Sequence, residues 1–173
     1  MNLLRHSNMF SFEKIDNVVA LKEQICKRCS KRKFTGKIAD DTLEKLRKFI
    51  ENINAVQQDF KIHYVVDQGK ILSPLFFKFI KGTTELLAFE VIGKDAVQAN
   101  LAMGFFGELL DLYITSLGIG SVWMAGDGFT FSSKAVKNQL QTENPIPVVI
   151  PIGNAVDPMY VASGRKAMGK IAP

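Results

Sequence analysis

Both cysteines of the chain lie in one short basic stretch, ICKRCSKRKFTGK, which covers residues 25–37. Lysines and arginines crowd this part of the sequence, and Glu23 is the single acidic residue between Lys22 and Lys37. Residues of these types can bind a metal through thiolates, exchange electrons as a dithiol, bind a nucleic acid, or hold a small anion. The spacing of the residues decides between these four kinds of chemistry.

Metal binding and dithiol chemistry are the weaker interpretations. A structural zinc site needs four ligands, and besides Cys26 and Cys29 the chain offers only His6 and His63, which are not paired as zinc ligands are. A redox dithiol usually follows a strand and opens a helix, whereas this pair is predicted at the end of a helix. Neither cysteine has a nearby histidine that could activate it as a nucleophile.

An anion site explains more of the stretch. Arg28, Ser30 and Arg32 alternate, so an extended segment would project them to the same side, where two cations and a hydroxyl could hold a phosphate. Cys29 would then point elsewhere. The alternatives are a solvated loop and a nucleic-acid surface, but Phe34 is the only aromatic residue among the basic ones and no nucleic-acid module is recognisable.

Two acidic and two small residues stand out in a long apolar segment further along. Glu108 and Asp111 are one helical turn apart and could form an acid–base pair, but pairing with basic residues, capping or a subunit boundary is the better interpretation. Gly104 and Gly107 lower helix propensity by about 1 kcal/mol each. We interpret them as points of close approach by another helix or a flat ligand, with a packing role as the better interpretation.

Hydrophobic periodicity and turn residues predict the elements that carry these groups. Helices are predicted from Val18 to about Cys29, from a cap at Asp40 or Asp41 through Ile53, over Asp95–Gly118, and from Ser132. Strands are predicted over Phe60–Val66 and Leu86–Ile92, with a short strand or extended loop in GSVWMAGDG. Proline alternates with β-branched residues from Pro145 to Ile152, which favours an edge or pairing strand over a central one.

Length and composition are those of a globular chain. The 173 residues suit one domain, and 47% hydrophobic, 10% aromatic and 23% charged residues suit an ordinary core. The most apolar stretch is broken by Asp111 and by glycines, so no membrane span is expected, and the N-terminus lacks a signal-peptide pattern. We therefore expect a cytoplasmic protein whose cysteines stay reduced. The net charge of +5 suggests an anionic partner.

Three motifs in order resemble a known family. RCSKRKF from Arg28, GFFGELLDLYITSLGIGSVWMAG from Gly104 and IPVVIPIGNA from Ile146 look like the nitroreductase family, especially its shorter branch, over about Val18 to Arg165. The resemblance implies an α+β layered fold with a mostly antiparallel central sheet flanked by helices. It also implies one FMN-binding domain over residues 1–173, with the first 15 or so as an arm, and a homodimer that holds FMN at its interface.

The same resemblance implies an activity. Such proteins use NADH or NADPH to reduce FMN, and a nitroaromatic, quinone or flavin acceptor then collects the electrons in a ping-pong cycle. Two alternatives stay open: a flavin-binding sensor or carrier without catalysis, and a basic nucleic-acid-binding domain. The flavin carries the hydride, so no side chain is assigned a catalytic role.

Site residues follow by matching the family's motifs. The phosphate motif falls on Arg28, Cys29, Ser30 and Arg32, with Arg165 as a C-terminal cation and Lys166 as a weaker candidate. The backbone N–H groups of Ala125 and Gly126 would lie near flavin N5. The chain lacks the P-S-x-x-N-x-Q-P stretch through which many relatives contact the flavin ring, and Asn54 is a candidate substitute.

Overall fold

The computed structural model describes residues 18–72, 80–125 and 129–157, and the structural statements below concern these residues. The predicted N-terminal arm, His6, Gly126, Arg165 and Lys166 lie outside them. The described elements, in chain order, are α1 (Val18–Lys27), α2 (Asp40–Val56), β1 (Phe60–Val66), β2 (Glu85–Val91), α3 (Ala96–Ser116), β3 (Gly120–Ser121), β4 (Met124–Ala125), α4 (Ser133–Leu140) and β5 (Val148–Gly153).

Side chains cap the N-termini of α3 and α4. Asp95 accepts hydrogen bonds from two backbone N–H groups at the start of α3, and Ser132 accepts one at the start of α4. The prediction that Asp40 or Asp41 caps α2 is wrong, because Ala39 occupies the cap position and no side chain caps this helix. The two aspartates lie instead in the first turn, where negative charge is stabilised by the exposed N–H groups of the helix end.

The sheet has the order β1-β2-β5-β3, and β4 also pairs with β5. All four strand pairings are antiparallel, with Phe60 opposite Val91 and Glu85 opposite Ile152. A mostly antiparallel sheet flanked by helices is therefore confirmed.

The prediction that residues 145–152 suit an edge or pairing strand better than a central one is wrong. β5 has β2 on one side and both β3 and β4 on the other. Residues 120–125 oppose residues 148–153 in one constant register, in which Val122 faces Pro151 and donates its N–H to the Pro151 carbonyl at 3.2 Å. Pro151 has no N–H to return the bond, so β3 and β4 are separate short strands. The proline removes one hydrogen bond from an interior strand.

Both faces of the sheet are buried. On one face α1, α2 and α3 cover a cluster that includes Leu87, Phe89 and Ile150. On the other face Leu86, Ala88 and further residues pack around α4 and the loops beside it. Because alternate residues of β2 point into both clusters, its sequence is almost continuously apolar. No helix in the described ranges is long and apolar enough to cross a membrane.

A buried polar cluster joins β1, β2 and the loop after α4. Glu90 is 7% exposed, and its carboxylate lies 2.6 Å from His63 Nε2. The Thr142 hydroxyl and the Asn144 amide both donate to the other carboxylate oxygen. Burial alone would raise the pKa of Glu90, but the hydrogen bonds from Thr142, Asn144 and His63 outweigh it and lower the pKa below its ordinary value of 4.5.

This lowered pKa predicts a loss of stability in acid. Ionised Glu90 contributes stability above its unfolded-state pKa, and the contribution is lost as the pH falls through the folded-state pKa. The free energy of unfolding can be measured by chemical denaturation at pH values between about 3 and 7, a range that includes the ordinary pKa of a glutamate. As the pH falls, it should therefore decrease less for Glu90→Gln than for the wild type. Glu51→Gln removes one exposed negative charge of α2 and is the control. Parallel acid declines for the wild type and Glu90→Gln would contradict the prediction.

Candidate functional site

A cavity of about 510 Å³ opens beside the sheet. It is lined by residues 122–125 together with Arg32, Ile80 and Thr130. The walls are thus mostly apolar, with one cation and one hydroxyl, and the volume lies within the range of about 300–1,000 Å³ that small-molecule sites occupy. This composition suits a flat apolar ligand that also carries an anionic group.

The basic segment, residues 28–37, is held in place by its backbone. Lys31 N–H donates to the Ser121 carbonyl at 2.8 Å, and Arg32 and Phe34 exchange backbone bonds with Lys81 at 2.9 and 2.8 Å. The Phe34 side chain is 4% exposed. The segment is therefore an extended strand-like stretch anchored at several points, and the interpretation as a solvated loop does not hold for its backbone.

Alternate residues of the basic segment face different surroundings. Arg32 is exposed and lines the cavity of about 510 Å³. Cys29 and Lys31 line a separate small cavity of about 80 Å³. Cys29 and Arg32 therefore line different cavities, as expected if the two residues project to opposite sides of the segment. Cys26 is exposed, Cys29 is half-buried and both are free thiols.

Arg28 makes two ion pairs inside the chain. Its Nε lies 3.2 Å from Glu108 Oε1, and its Nη1 lies 3.2 Å from Asp111 Oδ2. The interpretation of Glu108 and Asp111 as partners of basic residues is therefore confirmed. Its guanidinium thus engages two carboxylates of α3. The phosphate contact that the resemblance implies for Arg28 stays a prediction.

Asp111 is fully buried, and its partners come from separate parts of the chain. Besides Arg28, the Ser121 hydroxyl donates to Oδ1 and the Trp123 indole N–H donates to Oδ2 at 3.1 Å. Burying a carboxylate costs several kcal/mol unless a counter-ion and hydrogen-bond donors replace its water. Here all three donors are present.

Glu108 differs from its neighbour because its side chain is 49% exposed. Partial burial raises the pKa of Glu108, the Arg28 charge opposes this, and the Asp111 carboxylate adds to the increase. The group sits at the outer end of the ion-pair network. It is not among the residues that line the cavity.

Gly107 makes room for the ring of Trp123. A Cβ at Gly107 would lie 2.4 Å from Trp123 Cη2 and 3.3 Å from Phe89 Cε1, whereas a Cβ at Gly104 would meet nothing within 4 Å. The close approach at Gly107 therefore has the expected packing role, but the neighbour is an aromatic side chain of the same chain and not a helix or a ligand. The Phe89 ring stacks on Trp123 with centroids 5.8 Å apart.

The stretch 121–125 presents backbone groups on its outer side. Residues of an antiparallel strand alternate between facing a given neighbour and turning away from it. Since Val122 donates to β5, the N–H groups of Ser121, Trp123 and Ala125 point away from β5. Ala125 also lines the cavity, and its carbonyl accepts a hydrogen bond from the Thr130 hydroxyl at 2.7 Å. Gly126, the other predicted backbone donor, lies outside the described residues.

Asn54 is engaged elsewhere. Its side-chain amide donates to the Ile62 carbonyl and accepts from the Ile62 N–H, both at 2.8 Å, and so clamps α2 to β1. It does not line the cavity of about 510 Å³. In the part of the chain that the structure describes, no cluster of three or more His, Cys, Asp or Glu residues could hold a metal ion.

Sequence reasoning missed the roles of Ser121, Trp123 and Thr130. Trp123 is the only tryptophan of the chain and follows a run of small residues, which is a weak signal for a buried ring. Nothing in the local sequence indicates that its N–H pairs with a carboxylate twelve residues earlier.

The chain matches the sequence model of one protein family. The family is described as "Putative TM nitroreductase", and the match covers residues 20–172. No curated protein is significantly similar in sequence.

Several solved structures share the fold. A "putative nitroreductase in complex with FMN" from Desulfovibrio desulfuricans has a TM-score of 0.66 at 14% identity, over 91% of this chain and 96% of that one. A "Putative NADH dehydrogenase/NAD(P)H nitroreductase" from Bacteroides thetaiotaomicron has a TM-score of 0.67 at 17% identity, over 89% and 96%. An FMN-dependent nitroreductase from Mycobacterium smegmatis, in complex with NADPH, has a TM-score of 0.65 at 13% identity, over 90% and 97%.

The contact between Gly107 and Trp123 predicts opposite effects for two substitutions on α3. Replacing a helical glycine by alanine gains about 1 kcal/mol of propensity, but overpacking a filled site costs about 1–3 kcal/mol. Because the indole ring is rigid, Gly107→Ala should lower the free energy of unfolding, measured by urea denaturation. For the isolated chain, in which a Cβ at Gly104 meets nothing within 4 Å, Gly104→Ala should raise it.

Trp123→Phe supplies the control, because the smaller ring lacks the atoms nearest Gly107. In that background Gly107→Ala should no longer be destabilising. If Gly107→Ala is equally harmful with phenylalanine at position 123, the indole contact is not the cause. A loss of stability in Gly104→Ala would indicate a partner packed against that face.

Proposed function

The chain belongs to the putative TM nitroreductase family, and from this premise we propose that it is an FMN-dependent oxidoreductase. We further propose that NADH or NADPH is its electron donor and that a nitroaromatic, quinone or flavin-type compound is its acceptor, in a ping-pong cycle. The observation that carries the proposal is the cavity of about 510 Å³, whose walls combine apolar surface with Arg32. The structures from Desulfovibrio desulfuricans and Mycobacterium smegmatis are complexes with FMN and with NADPH, respectively.

The residues present fit FMN. A flavin needs a flat apolar slot for its ring and a cation for its phosphate, and both kinds of group line the cavity. We assign the ring to the wall formed by Val122, Trp123 and Met124. The N–H groups of Ala125 and Gly126 are assigned to the ring edge near N5, where a fixed backbone donor orients the cofactor.

The phosphate is assigned to the basic segment. Arg32 is the exposed cation at the cavity, and Ser30 is exposed two residues before it. Arg165 would add a second cation from the C-terminal part of the chain. The Cys29 side chain faces the smaller cavity, so its part in the site would be limited to its backbone. Arg28 fixes the start of the basic segment to α3 through its two ion pairs.

FMN, when bound, supplies the hydride chemistry at its N5 atom. The chain's own residues bind and orient it. The apolar wall at Val122 and Met124 excludes water from one side of the slot, because both side chains are buried. No side chain among the described cavity residues is a general acid or base, so the substrate or solvent would supply protons.

We also propose a homodimer formed through α3. Val97, Leu101 and Phe105 are 69%, 44% and 48% exposed and lie four residues apart, so they form one apolar stripe on the helix. Contiguous exposed apolar surface of this kind marks interaction sites. A second copy would cover the stripe and complete the flavin site at the subunit interface.

The FMN assignment predicts different effects for two neighbouring cations. Losing a charge-assisted hydrogen bond costs about 1.5–3 kcal/mol, so Arg32→Ala should raise the Kd for FMN by about tenfold or more. Lys33→Ala removes the same charge from the next position, which is not in the cavity lining, and should change the Kd little. Titration followed by flavin fluorescence measures both. Equal losses in the two variants would contradict a specific phosphate contact.

Reduction of bound FMN by NADH or NADPH distinguishes an enzyme from a flavin carrier or sensor. The visible spectrum is recorded for the protein after FMN loading and removal of excess, and NADH or NADPH is then added without oxygen. Bleaching of the flavin bands is expected. Bound flavin that stays oxidised would favour the carrier, and failure to retain FMN would overturn the proposed function. Arg28→Ala is unsuitable for this purpose, because leaving Asp111 buried and unpaired would destabilise the fold by about 3–5 kcal/mol.

The dimer assignment predicts that a charge on the α3 stripe separates the subunits. Leu101→Glu should convert a dimer to a monomer in size-exclusion chromatography with light scattering, because an ionised carboxylate cannot be buried unpaired. Val66→Glu is a matched control, since Val66 on β1 is also 44% exposed. A Leu101→Glu protein that stays dimeric, or a monomeric wild type, would overturn this assignment.

A further inference from the structure

We propose that Asp111 is the positioning residue of the cavity: its buried carboxylate holds the Trp123 side chain, so fixes the stretch 121–125 that forms the wall, and ties that wall to the basic segment. The identification of the cavity's occupant as FMN rests on the proposed function. The positioning itself is a property of the chain without any ligand. Asp111 is not among the residues that line the cavity, and it acts through Trp123, which is one of them.

The hydrogen bonds of Asp111 converge from three places. Trp123 and Arg28 share one carboxylate oxygen, Oδ2, at 3.1 and 3.2 Å, and the Ser121 hydroxyl occupies Oδ1. The carboxylate therefore joins α3 to both sides of the cavity wall. One side is the stretch that carries Trp123, and the other is the segment that carries Arg32.

The indole is constrained on three sides. Asp111 holds its N–H, Gly107 one turn earlier on α3 leaves space only for the edge of the ring, and Phe89 stacks on its face. Gly107 and Asp111 are four residues apart and so lie on one face of the helix. Together they form a site that fits one tryptophan side chain. Gly107 leaves space for the ring, and Asp111 accepts the hydrogen bond from its N–H. A ring fixed in this way holds the backbone of the stretch 121–125 in place before a ligand enters the cavity.

The network requires a charge at position 111. A carboxylate can accept from three donors at once, whereas an asparagine amide has one accepting oxygen and places an N–H₂ group at the other position. The Ser121 hydroxyl can turn and accept from that amide, so Asp111→Asn keeps the shape of the site. The substitution removes the negative charge. That charge attracts Arg28 and strengthens the hydrogen bond that the Trp123 N–H donates.

The test uses the fact that Trp123 is the only tryptophan, so fluorescence excited at a wavelength that tyrosine does not absorb reports on this residue alone. In FMN-free protein, Asp111→Asn should shift the emission to longer wavelength and increase quenching by acrylamide, with far-UV circular dichroism unchanged. The Kd for FMN should rise about tenfold. Glu108→Gln is the matched control: it also removes a carboxylate paired with Arg28, but it has no contact with the indole, so it should leave the emission unchanged.

A second variant keeps the proposal testable if Asp111→Asn does not fold. Trp123→Phe retains an aromatic ring next to Gly107 and Phe89 but has no N–H for Asp111. Its FMN affinity should fall about tenfold, and in this background Asp111→Asn should have little further effect. Wild-type affinity in Trp123→Phe would overturn the positioning role.

The outcomes distinguish this proposal from the proposed function. Unchanged emission and unchanged FMN affinity in Asp111→Asn would overturn the positioning role while leaving the flavin assignment intact. If the wild type fails to bind FMN, the proposed function is lost, but a shifted emission in Asp111→Asn alone would still support the positioning of Trp123. Identical emission shifts in Asp111→Asn and Glu108→Gln would overturn the specific role of Asp111.

Discussion

A single buried carboxylate connects the parts of this chain that surround the cavity. Asp111 has no exposed surface, and a charge in that position is stable only if other groups replace its water. The groups that do so come from the basic segment, from β3 and from the residue just before β4. The electrostatic requirement of one residue of α3 therefore constrains where two separate chain segments lie. The position of the cavity wall follows from that constraint.

The wall is also supported by the sheet. The stretch 120–125 pairs with β5 on one side, and Ser121 accepts a backbone bond from Lys31 on the other. Beyond Ser121 the basic segment turns away to pair with Lys81, so the outer side of Ala125 is left for the Thr130 hydroxyl and the cavity. Pairing on both sides at β3 and on one side at β4 gives a rigid wall that still presents backbone donors.

Local patterns in the sequence were sufficient for much of the fold. The apolar face of α2 and the β-branched run of β1 are signals carried by neighbouring residues, and both elements were predicted with nearly correct bounds. The place of β5 was not, because the rule that prolines favour edge strands does not anticipate a register in which Pro151 loses only one bond. The partner of Arg28 could not be predicted for a different reason. Asp111 lies 83 residues away in the sequence, and no local pattern indicates that pairing.

The ion pairs of Arg28 also change how the basic segment's charge should be understood. The excess of cations near residues 25–37 suggests an anionic partner. Part of this charge is balanced inside the chain, because Arg28 faces both Asp111 and Glu108. Arg32 is placed differently, since it is exposed and lines the cavity. The segment therefore combines two functions of arginine: one guanidinium stabilises a buried carboxylate and fixes the backbone, and the other is held at the cavity by that fixed backbone. Sequence spacing makes the two arginines look equivalent, and the three-dimensional surroundings of each distinguish them.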